Sequence, residues 1–254
     1  MKAATPQDGL AWITGASTGI GAALVAQLVS EGWTVLATAR GADKLAELAA
    51  AHPGRVIAAP GDITDAGGMK ALVAGAEANS GRKVALAVLN AGTWQEMGAA
   101  DFDLAAFRRQ IEVNLNGTAS CLDAVMPGML ARRSGQIAIV ASVAGYRGLP
   151  QGGAYGASKA ALIALAESLR FDLTKAGVLM QVINPGFVRT PMTAVNKFPM
   201  PFLLETDDAA RRISRGLKLT GFEITFPWQL AWILKLLQIL PARLFFWALR
   251  KAGA

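Results

Sequence analysis

The sequence predicts an α/β fold, in which one doubly wound parallel sheet is flanked by helices and followed by a helical C-terminal extension. Short apolar runs alternate with segments of helical periodicity up to Thr190, a pattern typical of parallel sheets with helices on both faces. A glycine-rich turn joins the first apolar run to the first helical segment. The 254 residues, 53% of them hydrophobic, fit a single domain better than two. We expect that domain to span residues 1–227 and the extension to span residues 228–254.

Composition excludes several classes of function. The single cysteine, Cys121, cannot form an internal disulfide, and with His52 as the single histidine we expect no metal site. The net charge is +7, but no basic stripe interleaved with aromatic residues indicates a nucleic-acid partner. The first nine residues lack the apolar core of a signal peptide. We therefore expect a cytoplasmic protein, with a tail that could place it at the membrane periphery.

The first predicted strand, Leu10–Thr14, leads directly into a glycine-rich turn and then into a helix over Ala22–Glu31. Glycines let the backbone approach a pyrophosphate, and a helix N-terminus supplies amide donors and the positive end of the dipole. This order of elements predicts a nucleotide-binding turn. Its candidate residues are Gly15, Ser17, Thr18, Gly19, Ile20 and Gly21.

The end of the second predicted strand, Trp33–Thr38, indicates which dinucleotide is bound. NAD sites usually carry an acidic residue about 20 residues beyond the glycines, where it binds the ribose hydroxyls. This chain has Ala39 and then Arg40 at that point. Because no carboxylate would repel a phosphate and a guanidinium would bind one, we expect the site to prefer NADP(H).

The later elements continue the alternation of strands and helices. Helices are predicted over Leu104–Leu115, Thr118–Ala131 and Ala157–Lys175, and the second of them is expected to be interrupted at Pro127-Gly128. The remaining strands are predicted at Arg55–Ala59, Val84–Leu89, Gln136–Ala141 and Val178–Ile183.

The stretch from Ser142 to Lys159 carries candidate catalytic residues. Ser142 follows a predicted strand and Tyr155 opens a helix, and ligands of open α/β sheets bind at such strand ends. Tyr155 and Lys159 are four residues apart and therefore share one helix face. An ammonium near a phenol favours the phenolate, so we expect the pKa of Tyr155 to fall from about 10 toward neutral. Such a tyrosine can exchange a proton with a carbonyl or alcohol oxygen that Ser142 also binds.

Several short motifs follow one another in a specific order, although each is weak alone. They are TGASTGIG at Thr14–Gly21, Asp62, NAG at Asn90–Gly92, Asn114, Ser142, YGASK at Tyr155–Lys159 and PGFVRT at Pro185–Thr190. Between about Gly9 and Thr190 the chain therefore resembles the short-chain dehydrogenase/reductase family. The resemblance implies a Rossmann-type fold and a homo-oligomer, either a dimer or a tetramer.

The resemblance also implies a catalytic tetrad of Asn114, Ser142, Tyr155 and Lys159. In such a tetrad, Tyr155 protonates the carbonyl oxygen as the nicotinamide delivers hydride to the carbon, and Ser142 polarises the carbonyl. Lys159 lowers the tyrosine pKa and holds the nicotinamide ribose. Asn114 supports a water chain that resupplies the proton.

The cofactor contacts implied by the resemblance lie at the later strand ends. Asp62 and Ile63 are expected beside the adenine, Asn90, Ala91 and Gly92 beside the ribose, and Pro185, Gly186, Val188 and Thr190 beside the carboxamide. One departure concerns Thr18, because many NADP-using members carry Lys or Arg just before the second glycine. Arg40 is therefore expected to carry most of the phosphate selectivity.

The substrate side is predicted after the sixth strand, where residues 191–215 should form a flap. The flap is largely apolar over Met192–Leu204, which favours a hydrophobic carbonyl or alcohol over a small polar one. Several of these side chains could equally pack the flap onto the body. The candidate pocket residues are Trp94, Tyr146, Leu149, Met192 and Phe198.

The last segment, Trp228–Lys251, is mostly aliphatic and aromatic. Lys235 and Pro241 interrupt it, so it lacks the ~20 consecutive apolar residues of a membrane span, and Pro241 is expected to divide it into two helices. Its aromatic face and basic residues could lie in an anionic membrane interface. It could also be buried in a subunit contact, and the sequence leaves both alternatives open.

These observations predict an NADP(H)-dependent oxidoreductase that interconverts a carbonyl and an alcohol on a small hydrophobic molecule, with Tyr155 as general acid and base. The alternative is a non-catalytic NADP(H)-binding sensor or scaffold that docks through its tail. The complete tetrad favours the enzyme, because a sensor would not need all four residues.

Overall fold

A computed structural model describes residues 1–196 and 198–251 of the chain. Its strands are β1 (Leu10–Thr14), β2 (Val35–Ala39), β3 (Val56–Pro60), β4 (Val84–Leu89), β5 (Gly135–Val140), β6 (Val178–Pro185) and β7 (Glu223–Phe226). They form one sheet in the order β3-β2-β1-β4-β5-β6-β7. All neighbouring pairs of strands are parallel. The predicted Rossmann-type α/β fold is thereby confirmed.

Helices cover both faces of this sheet. They are α1 (Gly19–Ser30), α2 (Ala42–Ala51), α3 (Ala66–Ser80), α4 (Leu104–Ile111), α5 (Gly117–Ala131), α6 (Gly153–Lys175), α7 (Thr206–Leu217), α8 (Trp228–Ile239) and α9 (Ala242–Lys251). Helices α1, α2 and α7 pack on one face, and α3, α5 and α6 pack on the other. Side chains alternate along each strand, so in β1 Ile13 faces the first set and Trp12 the second.

Two predicted helices differ from the structure in more than the position of their first residue. Helix α5 continues through Pro127, where the sequence predicts an interruption. Its apolar side chains on both sides of the proline, among them Cys121 and Met129, are buried against the sheet. This burial outweighs the hydrogen bond that proline cannot donate. The helix predicted over Leu104–Leu115 changes at Glu112 into a π-helical turn, Glu112–Asn116, which leads into α5.

The sequence does not predict strand β7. It has four residues and lies at the sheet edge, where it pairs with β6. Ile224 and Phe226 are buried and their neighbours are half-buried. An alternation of buried and half-buried residues over only four positions cannot be distinguished, in the sequence, from the apolar segment that follows it.

The C-terminal extension folds as two helices, α8 and α9, which separate at Pro241 as predicted. Leu230 and Leu234 form the buried face of α8 and pack against Val143 and Tyr146, in the loop after β5. None of the helices in the described ranges is long and apolar enough to cross a membrane. The extension is therefore packed onto the domain, beside the segment that carries Ser142.

Candidate active site

A cavity of about 480 Å³ opens at the carboxyl ends of strands β1, β2, β4, β5 and β6. The strand order reverses between β1 and β4, and open α/β sheets bind their ligands at such a reversal. Most of the predicted site residues line this one cavity. They are Gly15, Ser17, Thr18, Gly19, Ile20, Arg40, Asp62, Ile63, Asn90, Ala91, Gly92, Ser142, Tyr155, Lys159, Pro185, Val188, Thr190 and Met192.

The glycine turn between β1 and α1 brings bare backbone to the cavity. Gly15 has a φ of 66° and Gly19 a φ of 57°, a region that residues with a Cβ avoid. A Cβ on Gly15 would come within 2.8 Å of the Ala91 Cα. Because the N-terminus of α1 also points into this space, the turn can hold an anionic group such as a pyrophosphate.

Gly21, by contrast, does not line the cavity. A Cβ at this position would lie 2.1 Å from the carbonyl oxygen of Gly15. The glycine therefore allows α1 to start directly against the turn. The structure therefore shows a packing role for Gly21, and its predicted role in cofactor binding stays a prediction.

The loop after β4 is tied to the glycine turn by hydrogen bonds. The hydroxyl of Thr14 accepts from the backbone N–H groups of Asn90 at 3.0 Å and Ala91 at 3.1 Å. The Asn90 side chain donates to the carbonyl oxygens of Thr14 at 3.0 Å and Gly15 at 3.3 Å. Asn90 thus fixes the geometry of the cavity floor in addition to lining it.

Arg40 and Asp62 lie at the end of the cavity formed by β2 and β3. The Asp62 carboxylate accepts hydrogen bonds from the backbone N–H of Thr64 at 3.0 Å and from its hydroxyl at 2.9 Å. These bonds hold the pKa of Asp62 below its usual value, and the charge of Arg40 adds to the effect. The exposed Arg40 guanidinium can bind an anionic group at this end of the cavity.

The candidate catalytic side chains meet where β5 and β6 end. Ser142 follows β5, accepts a hydrogen bond from the backbone N–H of Ala144 at 3.1 Å and donates to the Pro185 carbonyl at 3.4 Å. Tyr155 lies in the first turn of α6, and the Nζ of Lys159 is 5.5 Å from the centroid of its ring. Lys159 donates to the carbonyl of Val140 at 2.8 Å and is almost fully buried. The three side chains therefore face one region of the cavity.

The pKa of Tyr155 differs in direction from the sequence prediction. Burial raises the pKa of Tyr155 above its ordinary value of 10.0, and a hydrogen bond with Ser142 offsets part of the rise. Burial also lowers the pKa of Lys159 from 10.5 to about 8. The prediction of a lowered tyrosine pKa is wrong for this structure, because desolvation of the phenolate exceeds the favourable effect of its neighbours.

Asn114 lies behind the cavity, in the π-helical turn, and is fully buried. Its side-chain oxygen accepts from the backbone N–H of Thr93 at 2.7 Å, and its amide donates to the Thr93 carbonyl and to the Ser158 hydroxyl, both at 3.0 Å. The hydroxyl of Thr118 donates to its backbone carbonyl at 2.7 Å. Asn114 therefore joins the loop after β4 to α6, which carries Tyr155 and Lys159.

The predicted substrate pocket is only partly assembled. Trp94 packs edge-to-face on Tyr155 with 5.0 Å between ring centroids, and its indole N–H donates to the side chain of Asn196 at 2.8 Å. Met192 lines the cavity. Phe198 instead packs on Phe187 with 6.0 Å between ring centroids, so it joins the flap to the body.

Tyr146 and Leu149 do not line the cavity in this structure, and their place in the substrate pocket stays a prediction. Both pack in the cluster formed with α8. The Tyr146 hydroxyl donates to Glu223 and lies 3.2 Å from the hydroxyl of Thr225. The loop after β5 turns its apolar side chains toward the C-terminal extension because α8 offers them an apolar partner, which the sequence alone does not reveal.

Gly186 is likewise covered by the extension. A Cβ on this residue would lie 2.8 Å from the Leu230 side chain and 3.0 Å from the Pro227 ring. Gly186 does not line the cavity of this structure, and its predicted contact with the cofactor stays a prediction. Helix α8 approaches so closely because the glycine has no side chain.

Of the cavity-lining residues that the sequence analysis does not identify, two carry polar side chains and lie outside the flap. Arg109 on α4 and Thr93 after β4 both line the cavity. Arg109 belongs to an exposed helical stretch with no distinguishing pattern, so only the fold brings it there. Thr93 directly follows the NAG motif, and that adjacency is the signal that could have identified it.

Comparisons with known proteins show the family to which the chain belongs. The family described as short chain dehydrogenase matches residues 10–198. An uncharacterized oxidoreductase of Myxococcus xanthus is 39% identical over 244 residues, which cover 95% of this chain and 96% of that protein. An uncharacterized oxidoreductase of Staphylococcus epidermidis is 32% identical over 213 residues, which cover 83% of this chain and 91% of that protein. A short-chain dehydrogenase from Streptomyces avermitilis superposes with a TM-score of 0.83 at 27% identity, covering 96% of this chain and 98% of the other.

Proposed function

Because the chain belongs to the short-chain dehydrogenase family of oxidoreductases, which use nicotinamide cofactors, we propose that it interconverts a carbonyl and an alcohol with NADP(H). The observation that carries this proposal is the meeting of Ser142, Tyr155 and Lys159 in the same cavity as the glycine turn and Arg40. A nucleotide held at one end of the cavity thus reaches the proton-exchanging groups at the other.

The residues of the cavity fit a dinucleotide phosphate. The glycine turn would hold the pyrophosphate, since a Cβ on Gly15 would fill the space next to Ala91. Arg40 would bind the extra phosphate of NADP(H), because it stands where NAD sites carry an acid. Asp62 would lie beside the adenine and Thr190 beside the carboxamide. When bound, the cofactor supplies or accepts the hydride.

Tyr155 is proposed to move the proton. Its raised pKa keeps the phenol protonated at neutral pH, which is the form that gives a proton to a carbonyl oxygen during reduction. Ser142 would donate a hydrogen bond to the same oxygen and so stabilise the negative charge that develops on it. The protonated phenol is thus the form in which Tyr155 would serve as general acid in carbonyl reduction.

Lys159 is proposed to stabilise the phenolate that forms when Tyr155 gives up its proton. Its Nζ is 5.5 Å from the centre of the tyrosine ring, and an ammonium at that distance in a buried site favours the anion. With a pKa of about 8 the amine is mostly charged at neutral pH. The bond from Lys159 to the Val140 carbonyl fixes its position.

A hydrophobic substrate is proposed because the reacting tyrosine has apolar neighbours. The Trp94 ring rests on Tyr155, and Val113 and Met192 line the cavity. Trp94 also joins the flap through Asn196, so a bulky substrate would contact both the indole and the flap. Apolar walls with a few convergent polar groups are typical of sites for hydrophobic small molecules.

The test is NADPH consumption over a panel of aldehydes and ketones of increasing chain length and ring number. We expect kcat/KM to rise with hydrophobic size, and Tyr155→Phe to lower kcat by a factor of about 10² to 10⁴, the range for loss of a general acid. Tyr146→Phe is the matched control, because Tyr146 lies outside the cavity and is the only other tyrosine in the chain. Equal activity of Tyr155→Phe and the native protein would refute the role of Tyr155. Tight NADPH binding without turnover across the panel would favour a sensor instead.

A further inference from the structure

The two C-terminal helices expose large apolar side chains to solvent, and these side chains are here together called the α8–α9 outer face. Its large side chains are more than half exposed, among them Trp228, Trp232, Leu236, Ile239, Phe246 and Trp247. Exposed apolar patches of this extent mark sites of interaction. Half of the tryptophans in the chain belong to this one surface.

The outer face is held in a fixed position by Arg147. The Nη1 of Arg147 donates to the carbonyls of Leu237 at 2.7 Å, Gln238 at 2.8 Å and Leu240 at 2.7 Å. These carbonyls lie at the end of α8, where helix carbonyls run out of partners from the next turn; that of Leu237 also accepts from the backbone N–H of Leu240 at 3.4 Å. The guanidinium also stacks 4.0 Å from the centroid of the Phe245 ring, on α9. One side chain thereby fixes both helices and the angle between them.

A second attachment joins the middle of α8 to the sheet. Lys235 forms an ion pair with Glu223 on β7, and the same carboxylate accepts hydrogen bonds from Tyr146 and from Asn184. These groups are partly buried, and the apolar side of α8 packs around them. The two helices are therefore attached to the body of the protein by Arg147 and Lys235, and such attachment lowers the conformational entropy that binding would cost.

The charge of this segment has a single sign. Between residues 228 and 251 the chain contains Lys235, Arg243, Arg250 and Lys251 but no aspartate or glutamate. Lys235 is paired with Glu223, whereas Arg243, Arg250 and Lys251 are exposed on α9. Tryptophan and phenylalanine beside exposed cations are the composition of helices that lie flat in the interface of anionic membranes.

We propose that the α8–α9 outer face docks on an anionic lipid bilayer, with both helices lying in the plane of the interface. A second copy of the chain fits this surface less well, because a face-to-face contact would bring the cations of the two copies together with no acid in the segment to neutralise them. The apolar side chains would enter the boundary between headgroups and acyl chains. The exposed cations would contact the lipid phosphates.

The first experiment uses the native full-length chain and needs no variant. Vesicles of phosphatidylcholine, alone or mixed with phosphatidylglycerol, are sedimented with the protein at low and high salt. We expect co-sedimentation with the anionic vesicles, little with the zwitterionic ones, and loss of binding as salt screens the charges. Brominated lipids should quench part of the tryptophan fluorescence, because Trp228, Trp232 and Trp247 lie on the docking face while Trp12 and Trp33 are buried.

Variants then separate the apolar and ionic contributions. Trp232→Glu with Trp247→Glu should abolish sedimentation, whereas Phe171→Glu, an equally exposed aromatic on α6, should leave it unchanged. Arg243→Glu should weaken binding by on the order of tenfold, because one basic group near an anionic leaflet contributes a factor of about five. Arg212→Glu on α7 is the matched charge control.

Three results would overturn the proposal. One is absence of native binding to phosphatidylglycerol vesicles, together with absence of quenching by brominated lipid. Another is equal sedimentation of the native chain and the Trp232/Trp247 double variant. The third is a native dimer that becomes a monomer in the double variant while vesicle binding stays absent, which would assign the face to a second copy. NADPH turnover is measured beside each assay, so failure of docking is distinguishable from failure of the proposed reaction.

Discussion

Lys159 provides a quantitative test of the electrostatics of the site through the pH dependence of stability. Its amine is buried and has a pKa of about 8, against 10.5 without burial. A lysine that loses its proton more easily in the folded state destabilises the fold wherever it stays charged. This reduction in the free energy of unfolding is complete below pH 8, becomes smaller as the pH rises toward 10.5, and is absent above pH 10.5. The difference between the two pKa values corresponds to about 3 kcal/mol.

The perturbation is Lys159→Met, and the assay is urea unfolding from pH 7 to 9.5. The free energy of unfolding of the native chain should gain about 2 kcal/mol relative to the variant between pH 8 and 9.5, since each pH unit in that window is worth about 1.4 kcal/mol. Taking the difference cancels the titration of other groups, including Cys121, whose pKa burial raises to about 12. Lys44→Met, at an exposed position on α2, is the matched control. Parallel pH profiles for the native chain and Lys159→Met would refute the reasoning.

Two further predictions concern the cofactor and the extension. Arg40→Asp should reduce the kcat/KM ratio of NADPH to NADH by roughly 10- to 100-fold, because a charge-assisted hydrogen bond to phosphate contributes about 1.5–3 kcal/mol; an unchanged ratio would contradict the role of Arg40. Gly186→Ala should lower the free energy of unfolding by about 1–3 kcal/mol, the usual cost of overpacking, since its Cβ would lie 2.8 Å from Leu230. Gly148→Ala, where a Cβ meets nothing within 4 Å, is the control, and equal urea midpoints for the two variants would count against close packing of α8.

Much of the candidate site follows from the sequence because its residues lie at the ends of predictable elements. The glycine turn and Asn90 directly follow buried strands, and Ser142 lies two residues beyond the end of another. In a parallel sheet those ends share one edge, so residues distant in the chain are brought together without further information. Arg109 could not be found in this way. It lies on an exposed part of α4, and its distance from the cavity depends on how α4 packs on the rest of the protein.

The pKa values could not be predicted from spacing. The four-residue step from Tyr155 to Lys159 places both on one face of α6, and that part of the prediction depends only on helix geometry. The direction of the tyrosine shift depends instead on how much water the surrounding strands and loops exclude. Desolvation is a property of the assembled site, so spacing alone gave the wrong sign.

By itself, the sequence determined the fold class, the glycine turn between β1 and α1 and the order of the catalytic candidates, because each depends on local patterns within one strand, turn or helix. Only the tertiary structure decided where the C-terminal extension lies. The contacts of Gly186 and Arg147 with α8, and the pairing of Lys235 with Glu223, join residues that no local pattern relates. These contacts form because the apolar side of α8 packs against the loop after β5 and both become buried. The side of α8 that faces away from the loop stays exposed.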